Sequence, residues 1–94
     1  MDGDPGEIRH EEGGFYIERG GKRIAELDYH RVGADLVVTH TWVEPRLRGQ
    51  GDARRLVDAA VAFAREQGYK VVPACSYVRA VMRGEEYGDV RREK

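Results

Sequence analysis

The order of strand and helix signals predicts an α/β domain with a mixed sheet, and three observations carry that expectation. Two β-forming runs, Phe15–Arg19 and Lys22–Tyr29, flank Gly20-Gly21, which is the pattern of an antiparallel hairpin. A longer apolar strand, Leu36–Val43, leads through a glycine-rich loop into a segment where Ala53, Leu56, Val57, Ala60, Val61 and Ala64 recur at helical spacing. A short strand, Tyr69–Pro73, follows that helix, and a strand returning through a helix pairs in parallel with its predecessor. Antiparallel strands first, then helix, strand and helix, give the order ββ(β)αβα.

Residues 1–12 are acidic and contain Gly and Pro with little to bury, so they are expected to form a flexible leader ahead of a domain spanning residues 13–90. Ile24, Ala25, Leu27 and Tyr29 supply the apolar positions of the second hairpin strand. Val32-Gly33-Ala34-Asp35 turns the chain into Leu36–Val43, whose apolar residues on both faces predict a central strand covered on both sides. Phe63 widens the helix stripe and Gly68 stops the helix. Ser76 is the expected cap of a second helix over Tyr77–Arg83, with Val78, Val81 and Met82 inward and Gly84 closing it. Tyr87 and Val90 are expected to dock a turn, and residues 91–94 to form a solvated tail.

Ninety-four residues allow one domain with a modest core. A net charge of −1 with 35% charged residues of both signs predicts a soluble protein with no general attraction to nucleic acid or membrane. The sequence contains neither a bilayer-length apolar run nor a signal-peptide pattern, so a cytoplasmic location is the default expectation. One cysteine cannot form an internal disulfide, and no Cys/His cluster has zinc spacing, so no metal is expected.

The chemistry concentrates in Val43-Glu44-Pro45-Arg46-Leu47-Arg48-Gly49-Gln50-Gly51-Asp52-Ala53-Arg54-Arg55-Leu56. Glycines let backbone turn tightly and approach a ligand, and the helix start beyond them presents unpaired N–H groups and the positive end of a dipole. This is the pattern of a phosphate cradle. With 12 glycines in the chain a bare Gly-Xaa-Gly means little; the strand before and the helix after give it weight. A dinucleotide fingerprint would need a third glycine where Arg54 stands, and no Gly-Lys-Ser/Thr is present.

Arg46, Gly49 and Gly51 match in order the Gln/Arg-x-x-Gly-x-Gly/Ala pattern of the GNAT acetyltransferase superfamily, and the segment resembles its acetyl-CoA loop. The resemblance extends from about Phe15 to Val90 through Thr39–Val43, Val71–Val78 and Glu86–Val90, and is to a short, single-domain branch of that superfamily. It implies a GNAT-like mixed sheet and acetyl-CoA as co-substrate. Gln50, Gly51, Asp52 and Ala53 would offer amides beside Gly49, with Arg48 and Arg54 as cations near the diphosphate. Trp42 and Val43 would pair with pantetheine amides in the manner of an added strand. Asp52 departs from the usual apolar residue and brings a carboxylate close to the phosphates.

Cys75 falls where the branch carries a cysteine beside the thioester, which makes it a candidate nucleophile; the plainer reading is a small buried hydrophobe. His40, two residues before Trp42 and on the same strand face, is a candidate proton acceptor, or else a satisfied core residue. The branch carries a carboxylate where Trp42 stands, so a general base would fall to His40, a water relay or Glu44. Tyr77 is a candidate acid for the departing CoA thiolate. The implied activity is acetyl transfer to an amine, a small molecule or a protein lysine or terminus, with a partner protein as one way of completing the acceptor pocket. Two rivals stand beside it: a non-catalytic CoA or acyl-CoA module, and a nucleic-acid or protein-binding surface built on Arg46–Arg55.

Overall fold

In the computed structural model, which describes residues 6–92, the chain runs β1 (Glu7–Glu11), β2 (Gly14–Arg19), β3 (Lys22–Val32), β4 (Asp35–Val43), α1 (Asp52–Gln67), β5 (Lys70–Pro73) and α2 (Ser76–Val81). Short 3-10 turns add Pro45–Leu47 and Glu85–Tyr87. The five strands form one sheet in sequence order, antiparallel from β1 to β4 and parallel between β4 and β5. This is the expected mixed α/β architecture.

The inward residues of every strand and the apolar stripe of α1 share one core. Ile17, Leu27 and Leu36 from the sheet, with Leu56 from α1 and Met82 after α2, are fully buried. Both helices lie on the same sheet face. The Arg54 guanidinium donates to the Tyr87 hydroxyl at 2.8 Å, and Arg65 grips the Asp89 carboxylate through two bonds of 2.9 Å, tying the segment after α2 to the flank of α1. The expectation that β4 is covered on both sides therefore fails: Leu36 and Val38 are buried, but Val37 is half-buried and His40 exposed.

Two terminal expectations also change. Glu7–Glu11, assigned to a flexible leader, is an edge strand paired with β2 along its length. It turns Ile8 and His10 inward, and the His10 ring stacks on Phe15 at 4.1 Å between centroids while its Nε2 meets the Tyr29 hydroxyl at 2.5 Å. Its alternating charged residues point outward, as suits an edge. Arg91 and Arg92, read as solvated tail, pair along the outer edge of β5: the Arg92 N–H donates to the Val71 carbonyl at 2.8 Å and its guanidinium reaches Asp35 at 2.6 Å. The remaining parts of those expectations, residues 1–5 and 93–94, lie outside the described residues.

One irregularity positions the site. Tyr29 opposes Val38 and Asp28 opposes His40, so Thr39 is an extra residue in β4. Beyond this bulge the inward positions of β4 change from even numbers to odd: Leu36 and Val38 face the helices before it, Thr41 and Val43 after it, opposite buried Leu27 and Ala25.

Candidate functional site

β5 pairs with β4 only from Asp35–Lys70 to Val38–Pro73, and Pro73 has no N–H to carry the ladder further. The chain leaves β4 there, with the Ala74 and Cys75 amides both donating to the Val38 carbonyl at 3.0 and 3.1 Å, and enters α2. β4 continues alone on that side for five more residues. Glu44 N–H bonds Ile24 on β3 at 2.8 Å, so the peptide groups of residues 40, 42 and 44 face β3 and those of Thr41 and Val43 face the gap. Of the two residues expected to offer backbone, Val43 turns its peptide groups to the gap, as Thr41 does, whereas Trp42 turns them to β3.

The gap opens into a cleft of about 390 Å³ that runs to the start of α1 and is lined by Trp42, Val43, Arg48, Gly49, Gly51, Asp52, Ala53 and Tyr77 among the expected residues. Thr41 and Leu47 complete it; neither was expected to take part, although strand alternation beside Trp42 was a signal for Thr41. Gly51 caps α1 at φ +90° and Gly49 sits at φ +87°, a left-handed backbone that glycine adopts freely. A Cβ on either glycine would meet nothing within 4 Å, so the space beside this backbone is open. Gly51 supplies no side-chain cap to the first turn of α1, and Gly51, Asp52 and Ala53 at that turn line the cleft.

The cations are committed differently from the sequence expectation. Arg48 folds back, its Nε donating to the Val43 carbonyl at 3.1 Å, so it lines the cleft while holding a peptide oxygen that faces it. Arg54 points along α1 to Asp58 at 3.4 Å and to Tyr87, and neither it nor Gln50 lines the cleft. Asp52 is the one buried charged residue among those described, 6% exposed, with Arg55 at 3.5 Å and Arg19 at 3.8 Å from its carboxylate. One carboxylate oxygen of Asp52 and the Arg19 Nε are buried without a hydrogen bond.

Cys75 is the N-cap of α2, one residue before the expected Ser76, and is half-buried with its Sγ 3.6 Å from the Thr41 hydroxyl. Burial pushes the thiol up, but the backbone amide of Val78, the Thr41 hydroxyl and the amides of Tyr77 and Thr41 outweigh it, leaving the thiol below its ordinary range. No side-chain capping hydrogen bond is formed by Cys75 at the start of α2, and its formed side-chain contact is the one with the Thr41 hydroxyl. Tyr77, 39% exposed, is raised by its own burial, with Arg54 lowering and Asp58 and Tyr87 raising it further. It is a phenol that keeps its proton. His40 is not brought to Cys75: it is exposed, stands opposite Asp28, and lies on the sheet face away from Thr41. No group of three or more His, Cys, Asp or Glu residues is arranged to hold a metal among the described residues, and no described helix is long and apolar enough to cross a membrane.

A strand that parts from its parallel neighbour, a glycine loop and an uncapped helix start converge on one cleft. The family model for the GCN5-related N-acetyltransferases matches residues 14–90. The NMR solution structure of a GCN5-like candidate N-acetyltransferase from Staphylococcus aureus is 32% identical, with a TM-score of 0.75 over 94% of this chain and 89% of that one. The crystal structure of the ribosomal-protein-S18-alanine N-acetyltransferase of Escherichia coli, 20% identical, shares the fold at a TM-score of 0.60, over 67% of this chain and 42% of that one. No curated protein matches. The chain belongs to the GCN5-related N-acetyltransferase family.

Proposed function

We propose that the chain binds acetyl-CoA in the cleft between β4 and the start of α1 and transfers its acetyl group to an amine. The observation that carries this reading is the convergence of two sets of backbone donors on one cleft: the Thr41 and Val43 peptide groups, which suit the amides of a pantetheine arm, and the first-turn amides of α1, which suit a diphosphate. Arg48 would exchange the Val43 carbonyl for a phosphate oxygen, gaining a charge-assisted bond and freeing that carbonyl for the arm.

In transfer, a neutral amine nitrogen forms a bond to the acetyl carbon as the carbon–sulfur bond breaks, and the proton lost by the amine ends on the CoA sulfur. Cys75 offers a two-step route. Its thiolate attacks first and CoA leaves with the thiol's proton; the amine then displaces the cysteine sulfur and returns a proton to it. The depressed thiol and its place beside Thr41 favour this route, because the sole acidic residue lining the cleft among the described residues, Asp52, is already held between Arg19 and Arg55. The same lack of an uncommitted base in the cleft favours the second reading, a module that binds acyl-CoA without turnover. His40 has no part in either.

Titration of 15N-labelled protein with CoA tests the first step. The amides of Thr41, Val43, Gly49, Gly51 and Ala53 are expected to shift first, and no shift there at millimolar CoA would refute the site. Acetylated amine products formed from labelled acetyl-CoA separate the enzyme from the binding module.

A further inference from the structure

The sheet face turned away from α1 and α2 is covered by no described element, and it is acidic. Register and alternation place the carboxylates of Glu7, Glu11, Glu18, Glu26 and Asp28 on it against the guanidiniums of Arg9 and Arg23. Both guanidiniums are engaged within the face: Arg9 with Glu7 and Glu18 at 3.0 and 3.1 Å, Arg23 with Glu26 and Glu11 at 3.0 and 3.4 Å. The Arg23 guanidinium carbon also lies over the Tyr16 ring, 3.7 Å from its centroid, so the face already holds one cation between an aromatic ring and carboxylates. One strand further, a second aromatic ring stands near a carboxylate that has no ion-pair partner among the described residues. Trp42 is opposite Glu26, and Asp28 in the next row carries no ion pair among the described residues. Because the Thr39 bulge turns Trp42 onto this face while Trp42 also lines the cleft, the acidic surface runs to the cleft mouth.

We infer that the acceptor is a lysine within a basic, extended polypeptide segment that docks across this open face, with Trp42 and Asp28 taking a cationic side chain next to the reacting one. The inference rests on the acetyl-CoA reading for the chemistry, but on the sheet alone for the docking. The charge pattern favours a chain over a small amine. The row from Arg9 to Trp42 crosses four strands, roughly 14 Å, and the carboxylates of the face are dispersed within it and on both sides of it, which several spaced cations can match and a single ammonium cannot. A strongly acidic partner or nucleic acid is disfavoured by the same charges.

The test titrates 15N-labelled protein at low salt with a short Lys/Arg-rich peptide, an acidic peptide of equal length, and spermidine, and repeats the titration with Asp28→Lys. The basic peptide is expected to shift the Asp28 and His40 amides and the Trp42 indole, to be released by salt, and to bind Asp28→Lys about three- to tenfold more weakly. In acetylation of that peptide the variant should raise KM by a similar factor with kcat unchanged, and its CoA titration should match the parent. Shifts confined to other surfaces, equal binding of the acidic peptide, spermidine binding as tightly as the peptide, or an Asp28→Lys variant with unaltered affinity and KM would each overturn the inference. The two readings fail separately: peptide docking without CoA shifts upholds the surface and removes the cofactor, whereas CoA shifts without docking do the reverse.

Discussion

Replacing Asp52 with Asn should move stability and ligand affinity in opposite directions. Asp52 occupies the first position of α1, with its side chain 7% exposed between Arg55 and Arg19, themselves about a third exposed. Losing the carboxylate forfeits the dipole interaction, about 0.5–1 kcal/mol, and strips the partner from a partly buried guanidinium whose Nε already lacks a hydrogen bond, about 1–2 kcal/mol more. A total of about 2 kcal/mol lowers the melting temperature of a domain this size by roughly 8–16 °C. For the ligand the sign reverses. A carboxylate about 7 Å from a bound phosphate charge costs roughly 0.6 kcal/mol in water-like surroundings and about 2.4 kcal/mol at a protein surface. Asp52→Asn should therefore tighten CoA about three- to fifty-fold, with the larger gain at low salt. Urea denaturation reads the first effect and titration calorimetry at two ionic strengths the second. A variant as stable as the parent would show that the Asp52–Arg19–Arg55 cluster contributes nothing net. CoA affinity unchanged or weakened in a folded variant would show that the diphosphate does not lie at this helix start.

Three further outcomes are expected. Thr41→Val removes the hydroxyl beside Cys75, so the pH midpoint of Cys75 alkylation should rise, while acetyl-CoA without acceptor should add one acetyl mass to parent Cys75 and none to Cys75→Ser; an unmoved midpoint would remove Thr41 from the thiol's environment. Arg48→Ala should weaken CoA by about 1.5–3 kcal/mol if the side chain moves to phosphate, whereas Arg54→Ala should loosen the docking of Tyr87 and lower the melting temperature with little effect on CoA; equal effects on CoA would return Arg54 to the site. Burial holds His10 below its ordinary value of 6.5, so the folded state favours the neutral ring; the stability this confers is complete above about pH 6.5 and is lost as pH falls through the depressed value, and hydrogen exchange of the β1 amides should accelerate over that range relative to His10→Phe.

The parts of the fold that the sequence made legible are those where one periodicity runs uninterrupted. α1 was readable because six apolar positions recur at 3.6-residue spacing between Gly51 and Gly68, and the cleft because glycines at that junction have few other uses. β1 escaped notice because only Ile8 and His10 turn inward among charges, and their value depends on Phe15, Tyr29 and Phe63, which come later in the chain. Which arginine meets the cleft was equally unreadable. Arg54 and Arg48 flank the same loop, but a hydroxyl at Tyr87, thirty-three residues away, draws the first aside. The position of His40 relative to Cys75 turned on an inserted residue, Thr39, that carries no Gly or Pro to announce it.

That inserted residue divides β4 into two segments free to change for different reasons. Upstream, Leu36 and Val38 answer to the core, and a polar replacement there would be felt throughout the domain. Downstream, the exposed or half-buried side chains of His40 and Trp42 project where no described element packs, so they are free to vary with whatever the protein must recognise. The peptide groups of Thr41 and Val43, which every residue type except proline carries in full, are what must stay in place to present the gap. A minimal acetyltransferase scaffold of this kind would diversify its selectivity through two surface positions while its ligand-facing backbone stayed the same.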